Sequence, residues 1–512
     1  MHSQRNRQLI RESLSESAFH PVLFSAHHPQ HCSATRPFGE AKREVHDRIW
    51  LICIRVLSDR ILDCEHVPDH NSSKSDIAAD QVRPSRLPVT LRALKHRNFQ
   101  LFFGGQLISL IGTWMQNVAQ AWLVYRLTGS SLLLGSVAFA GQIPVFLTSP
   151  LGGIVADRYN RQRVVIGTQT VSMVLAFVFA ALTLTHRITV TEIFVLAIFR
   201  GVVNAFDIPG RQAFIVEMVG KEDLMNAIAL NSSMFNGARI IGPAIAGIVV
   251  ARIGEGWCFF SDAVSYIAVI VGLFMMRVAP RKQRPMGSPL EHIIEGFRFV
   301  RNTAPIRMLL LLLGLVSLVA MPYTVLMPVF ADRILHGGAR GLGILMGATG
   351  VGALLGALTL ATKTGVHGLG RWVTFSCAGF SISLVAFALS SNFLLSTLLL
   401  VPVGFCMMLQ MSSSNTLIQA MVPDELRGRV MSVYSMMFMG MGPFGALIAG
   451  AIADRMGAPL AVIMGAVAGL GGAVIFGMRL PHIRGEARRL IIAQQMVGGE
   501  PVQEMSASAV ED

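Results

Sequence analysis

From Phe99 onward the chain is divided into apolar segments, each closed by Gly, Pro or charge. At about 20 residues apiece they match the ~30 Å hydrocarbon core of a bilayer crossed as helix. Twelve such segments occur, at approximately 101–124, 132–155, 164–185, 190–209, 227–251, 257–277, 307–330, 342–362, 372–390, 392–414, 430–452 and 459–479. A mean hydropathy of +0.55 with only 14% charged residues excludes a soluble globular chain. Only helices and closed barrels satisfy every backbone group in lipid, and segments of this length are helical. The expected fold is an all-α membrane protein of twelve transmembrane helices.

The net charge of +13 does not point to nucleic acid, because the basic residues gather in short loops beside apolar segments. Alternate loops differ sharply. One set carries Arg158, Arg161, Arg163, Arg211, Lys221, the basic run from Arg277 to Arg307, Lys363, Arg371, Arg427, Arg429 and the basic tail after Arg479. The other has only Arg126, Arg187, Arg252, Arg333, Arg340 and Arg455. This asymmetry predicts a multi-pass protein of the cell's inner membrane with both termini cytoplasmic.

The longest internal loop, 278–306, divides the segments into two sixes. Displacement by 203 residues superposes Ser232, Met234, Phe235, Gly237, Ile245, Ala246, Gly247 and Arg252 on identical Ser435, Met437, Phe438, Gly440, Ile448, Ala449, Gly450 and Arg455. The fifth segment thus corresponds to the eleventh, as duplication of a six-helix unit requires. The chain reads as a tail 1–90, a six-helix half 91–278, a linker 279–306, a second half 307–480 and a cytoplasmic tail 481–512. In the linker, Ser288-Pro289-Leu290-Glu291 is a capping box, and Leu290, Ile293, Ile294 and Phe297 form an apolar stripe flanked by Arg298 and Arg301. Such a helix lies on the inner membrane surface. The tail 1–90 is polar and reads as disordered and dispensable; its His27, His28, His31, Cys32, Cys64, His66 and His70 lack the paired spacing of a metal site. No metal and no cofactor are expected.

The hinge between the second and third segments is Gly152-Gly153-Ile154-Val155-Ala156-Asp157-Arg158-Tyr159-Asn160-Arg161-Gln162-Arg163, a charged run between two apolar ones. In the fourth segment Arg200, Asn204, Asp207 and Arg211 recur at helical spacing on one face; buried charge in lipid costs about 2.5–3.5 kcal/mol at a helix centre. Two readings follow: a proton route with Asp207 as carrier, or a packing face on which Asp207 pairs permanently with Arg211. In the fifth, Ser232, Asn236, Arg239 and Pro243 share a face that ends in Gly242, Pro243 and Gly247. In the first, Ser109, Thr113, Gln116 and Gln120 align with Asn117 beside them, to line a cavity or to bond neighbouring helices. Asp262 in the sixth is placed near the outer end, water-exposed and without special role. Met407, Met408, Met411, Met436, Met437, Met439 and Met441 suit either core or apolar cargo. Gly450–Arg455 imitates the hinge but falls on the opposite face and is read as a decoy. No phosphate loop, H-E-x-x-H or nucleophile elbow occurs, so the chain is not read as an enzyme or an ATP-driven pump.

The hinge resembles the loop signature of the major facilitator superfamily, G-x-L-A-D-R-x-G-R-K, through Gly153, Ala156, Asp157, Arg158, Arg161 and Arg163. The run from Leu196 to Gly201 is similar to that superfamily's fourth-helix motif, and Gly242, Pro243 and Gly247 to its antiporter motif. Over residues 90–480 the likeness is to the exporter branch that handles siderophores and drugs. It implies two pseudo-symmetric six-helix bundles rocking to give alternating access and export of a siderophore or amphiphilic drug-like molecule. Arg200 is thereby associated with proton coupling, and Asp157 with a latch near the start of segment eleven. The implied partners are small-molecule cargo, protons and the bilayer, with the chain acting as a monomer. A transport-inactive sensor or scaffold is the alternative.

Overall fold

The computed structural model describes residues 89–220, 222–278, 289–363, 365–366 and 368–497, and among them every regular element is helical. Expectations for the tail 1–88 and for Ser288 lie outside the described residues, as do the side chains of Asp157, Leu290, Glu291 and Ile293. Twelve of the described helices pass through the bundle. They are α1 (Arg97–Thr128), α2 (Ser131–Arg158), α3 (Arg161–Leu184), α4 (Val190–Val219), α5 (Leu224–Ile253) and α6 (Glu255–Phe274). After the linker come α7 (Ala304–Ile334), α8 (Gly338–Ala361), α9 (Leu369–Leu389), α10 (Phe393–Met421), α11 (Asp424–Met456) and α12 (Ala458–Val497).

Eleven of these are long and apolar enough to cross a membrane, and α1 is the one that is not. Its polar residues explain why: Gln106, Ser109 and Gln116 are each 3% exposed or less, so α1 turns its amides inward and not to lipid. Side-chain oxygens cap several starts. Ser130 accepts from Leu133 N at α2, Asn160 from Arg163 N at α3 and Asn392 from Leu395 N at α10. Helix α7 breaks after Val319, resumes at Tyr323 and ends in a π-helical turn, Phe330–Ile334. Pro322 and Pro328 supply no N–H there, and the protein interior shields the irregular backbone.

The packing repeats with a period of six helices. In the first half α1 packs on α5 and α6, α2 on α4, and α3 on α4 and α6; in the second α7 packs on α11 and α12, α8 on α10, and α9 on α10 and α12. Two antiparallel pairs, α2 with α11 and α5 with α8, join the halves and are themselves related by the repeat. Lipid offers no hydrophobic drive between helices, so close backbone approach carries the association. Gly247 and Gly450, equivalent under the 203-residue displacement, do the same job in each pair. A Cβ on Gly247 would lie 3.0 Å from Gly343 Cα, and one on Gly450 3.2 Å from Gly135 Cα.

These contacts lie away from the hinge. At that far end Asp454 Oδ1 accepts from Ser130 Oγ at 2.9 Å, Ser131 N at 3.1 Å and Leu132 N at 3.4 Å, capping α2 from the opposite half. Arg333 Nη2 donates to Gly129 O at 3.1 Å, and Tyr125 Oη to Asp332 Oδ2 at 3.3 Å. The stretch Gly450–Arg455 is therefore no decoy: it closes the far end. At the hinge end Gly153 and Gly428 face open space. The linker helix, Pro289–Asn302, rests on α11, where Glu295 Oε2 meets Arg429 Nη1 at 2.5 Å, and leaves Ile294 and Phe297 exposed.

Candidate functional site

Between the halves lies a cavity of about 880 Å³, walled by α1, α2, α4 and α5 on one side and α7, α8, α10 and α11 on the other. From the first half come Asn117, Gln120, Arg200, Asn204 and Arg239, and from the second Met321, Met327, Met346, Met407, Met408 and Met411, with Tyr323, Tyr434 and Phe438. Its described wall holds no carboxylate. Charge is thus confined to the first half and thioether to the second. The sequence singled out three of these six methionines; the others face the cavity because α7 breaks and α8 leans on α5, which periodicity does not reveal.

Behind the wall stands a buried chain of polar groups. In the amide orientation that satisfies both neighbours, the Gln116 oxygen accepts from Arg200 Nη1 at 3.0 Å and its nitrogen donates to Asp262 Oδ2. Thr113 Oγ1 donates to Asp262 Oδ1 at 3.4 Å. Asp262 is 0% exposed, so the expectation of a water-exposed acid is corrected. It sits about two turns, roughly 10 Å, inside the start of α6, where α1 and α3 cover it. Beside the chain a void of about 10 Å³ touches Gln116, Gln120, Ser172, Arg200 and Tyr266, room for one water centre. Three polar residues of α1 divide accordingly: Gln116 bonds neighbouring helices, while Asn117 and Gln120 face the cavity.

Asp207 does not join this chain. Its carboxylate turns toward α3, accepting from Thr168 Oγ1 and Gln169 Nε2, both at 2.8 Å, and pairing with Arg211 Nη2 at 3.1 Å. That is the pairing of the packing-face reading. Arg239 stands on the cavity wall with its guanidinium carbon 5.9 Å from the Trp114 ring centre and Nη2 3.9 Å from Met407 Sδ. Among the described residues it has no carboxylate partner.

The hinge residues separate into two kinds. Arg161 is buried and holds its own half together, donating to Ala156 O at 3.1 Å, Ala213 O at 2.9 Å and Glu217 Oε1 at 3.0 Å. Arg158 and Arg163 are exposed. The glycine that packing demands is Gly152, where a Cβ would strike Ala205 O, and not the motif's Gly153. Gly242 is likewise pinned, its Cβ position overlapping Trp114, and Pro243 O faces Gly343. The antiporter-like stretch is thus a close-approach surface against α1 and α8.

Residues 89–505 match the model of the major facilitator family described as transmembrane secretion effector. The chain belongs to that family. The staphyloferrin A transporter of Staphylococcus aureus is 27% identical over 361 residues, covering 70% of this chain and 89% of that protein. The enterobactin exporter EntS of Citrobacter koseri is 25% identical over 419 residues, covering 81% and 98%. A structure of the nucleoside transporter NupG superposes with a TM-score of 0.58 at 15% identity over 77% of this chain and 99% of that one. A bacterial homologue of the lysosomal transporter Spinster gives 0.54 at 15% over 80% and 98%. Those two likenesses concern the fold. As a member of the secretion effector family, the chain is a multi-pass membrane transporter and not an enzyme.

Proposed function

We propose that the protein exports an amphiphilic small molecule of the siderophore type by alternating access, driven by proton entry. The observation that carries this reading is the cavity between two six-helix halves whose far ends are tied together by Asp454, Arg333 and Tyr125. The basic loops, the hinge among them, mark the hinge end as cytoplasmic. With the far end tied, we read the state as inward-facing, accepting cargo from the cell. Its relatives named for staphyloferrin A and enterobactin support the cargo class.

For the coupling proton we favour Asp262 over Asp207. Asp262 communicates with the cavity through Gln116 and Arg200, whereas Asp207 is engaged with Arg211. An ionisable group held inside a membrane bundle and linked to the cargo wall can bias the two states by its protonation. The groups facing Asp262 are Thr113 and Gln116 of α1, Arg200 of α4 and Tyr266 of its own helix. In proteoliposomes with an imposed pH gradient, the native protein accumulates a siderophore from a test panel. Asp262→Asn is expected to exchange cargo down its own gradient and to lose pH-driven accumulation. Full accumulation by that variant would sink the assignment, and absence of gradient-linked flux for every compound would favour a sensor or scaffold.

A further inference from the structure

Asp262 is fully buried, yet a coupling acid has to exchange protons with the cavity. Two side-chain contacts leave its carboxylate. One runs through Gln116 to Arg200, and the amide between them relays no proton, its oxygen being held by the guanidinium and its nitrogen by the carboxylate. The other is Thr113, whose hydroxyl donates to Asp262 Oδ1 and whose side chain also lines the cavity. Among the described residues Thr113 alone does both. A water in the small void beside the chain leads to the same place: the void touches Tyr266 and not Asp262, and the Tyr266 hydroxyl meets the acid by way of Thr113.

The local backbone is shaped for this contact. Thr128, Thr148, Thr170 and Thr183 donate to the carbonyl four residues back in their own helices. Thr113 turns to the neighbouring helix instead. Gly112 brings it there, since a Cβ at that position would lie 2.8 Å from Asp262 Oδ1 and 3.0 Å from Asp262 Cα. The Thr113 contact itself, at 3.4 Å, is roughly half an ångström longer than a closed O–H···O bond, as contacts of this kind commonly are at rest.

We infer that the Thr113 hydroxyl is the gate through which protons pass between the cavity and Asp262. A protonated water in the cavity gives its proton to a lone pair of Thr113 Oγ1, and the hydroxyl's own proton passes to Asp262 Oδ1. Water and a neutral carboxylic acid remain, and rotation of the hydroxyl resets the gate. The other groups facing Asp262 are Gln116 of α1, Arg200 of α4 behind that amide, and Ser265 and Tyr266 of its own helix, with Ser172 of α3 and Asp207 of α4 beyond Tyr266. The inference rests on reading Asp262 as the coupling acid and adds the route by which it is loaded.

The test needs no cargo. With the purified full chain in lipid nanodiscs, a laser pulse releases protons from a caged acid, and the protonated-carboxyl infrared band that is absent in Asp262→Asn is followed in time. Thr113→Val keeps the outline of the side chain and Thr113→Ala is smaller; each lacks the hydroxyl and is expected to slow the band's rise roughly tenfold or more, with its final amplitude unchanged. Thr113→Ser is expected to stay within about threefold of the native rate. The final amplitude counts folded protein in which the acid still titrates, so a general loss of fold does not imitate a slower rise. Native speed in either hydroxyl-free variant overturns the inference, as does a serine variant as slow as the valine one. Absence of the band from the native protein overturns the relay together with the choice of Asp262. A slowed rise in protein whose Asp262→Asn variant still accumulates cargo fully would instead overturn the coupling assignment alone.

Discussion

Asp207 and Asp262 show how little of a carboxylate's role follows from its place on a helix. Both are buried acids on apolar helices, and spacing made Asp207 the more suggestive because it shares a face with Arg200. What decides between them is which neighbouring helix each one meets, and that is tertiary. Asp207→Asn removes the ion pair with Arg211 but leaves acceptors for Thr168 and Gln169. Arg211 is 24% exposed and can turn to water, so the loss falls below the 3–5 kcal/mol of a fully buried broken pair, at about 1–2 kcal/mol. The variant should melt at lower temperature, with driven and downhill flux declining together; selective loss of driven flux would contradict this. Asp223 titrates outside the spans. Hydrogen bonds from Lys95 and His96, at 2.7 and 2.8 Å, hold its carboxyl below the usual range. A lowered folded value means that its stabilisation is complete above the unfolded carboxylate value of about 3.9 and fades as pH falls through the lowered value. Melting curves of native protein and Asp223→Asn should therefore differ at pH 7 and converge once the pH has fallen through the lowered value.

Among the elements, α2 and α11 are antiparallel and each ends in an Asp-Arg pair, that of α11 lying beside the start of α2. In this state the far-end contact is made, with three donors converging on Asp454. Removing it weakens the closed far end by about 1–3 kcal/mol, a shift of roughly five- to 150-fold in the population of the two states. Asp454→Ala should thus slow labelling of a cysteine at Ser412 by an impermeant reagent added on the hinge side; unchanged labelling would show that Gly135 and Gly450 hold the end without it. The glycines make a sharper comparison. Gly152→Ala forces a Cβ into the Ala205 carbonyl, whereas Gly153→Ala meets open space, so the first should lower thermal stability and the second leave it within about 0.5 kcal/mol. Motif likeness selected Gly153, because a loop signature records spacing along the chain and not which neighbour approaches.

For the molecule as a whole, the division into two sixes was readable from segment length, loop charge and the 203-residue repeat, and the recurring helix pairings agree with it. Less readable were the ends of helices and the break in α7. Helix α12 runs to Val497, past the hydrophobic boundary and through Pro481, whose missing N–H would mark a helix end in the sequence. The family match begins at residue 89, so a chain started near Leu87 contains all of it and should insert and fold. Loss of folded protein in the membrane would assign the first 86 residues a structural part. The cavity's split wall has a wider consequence. Because both guanidiniums sit in one half and all six thioethers in the other, the half that carries charge can be inherited intact while its opposite is remodelled to a new outline. Lineages of such proteins can then change what they carry without relearning how to be driven, and a chimera joining this first half to a relative's second half should keep its energetics while adopting the relative's taste in shape.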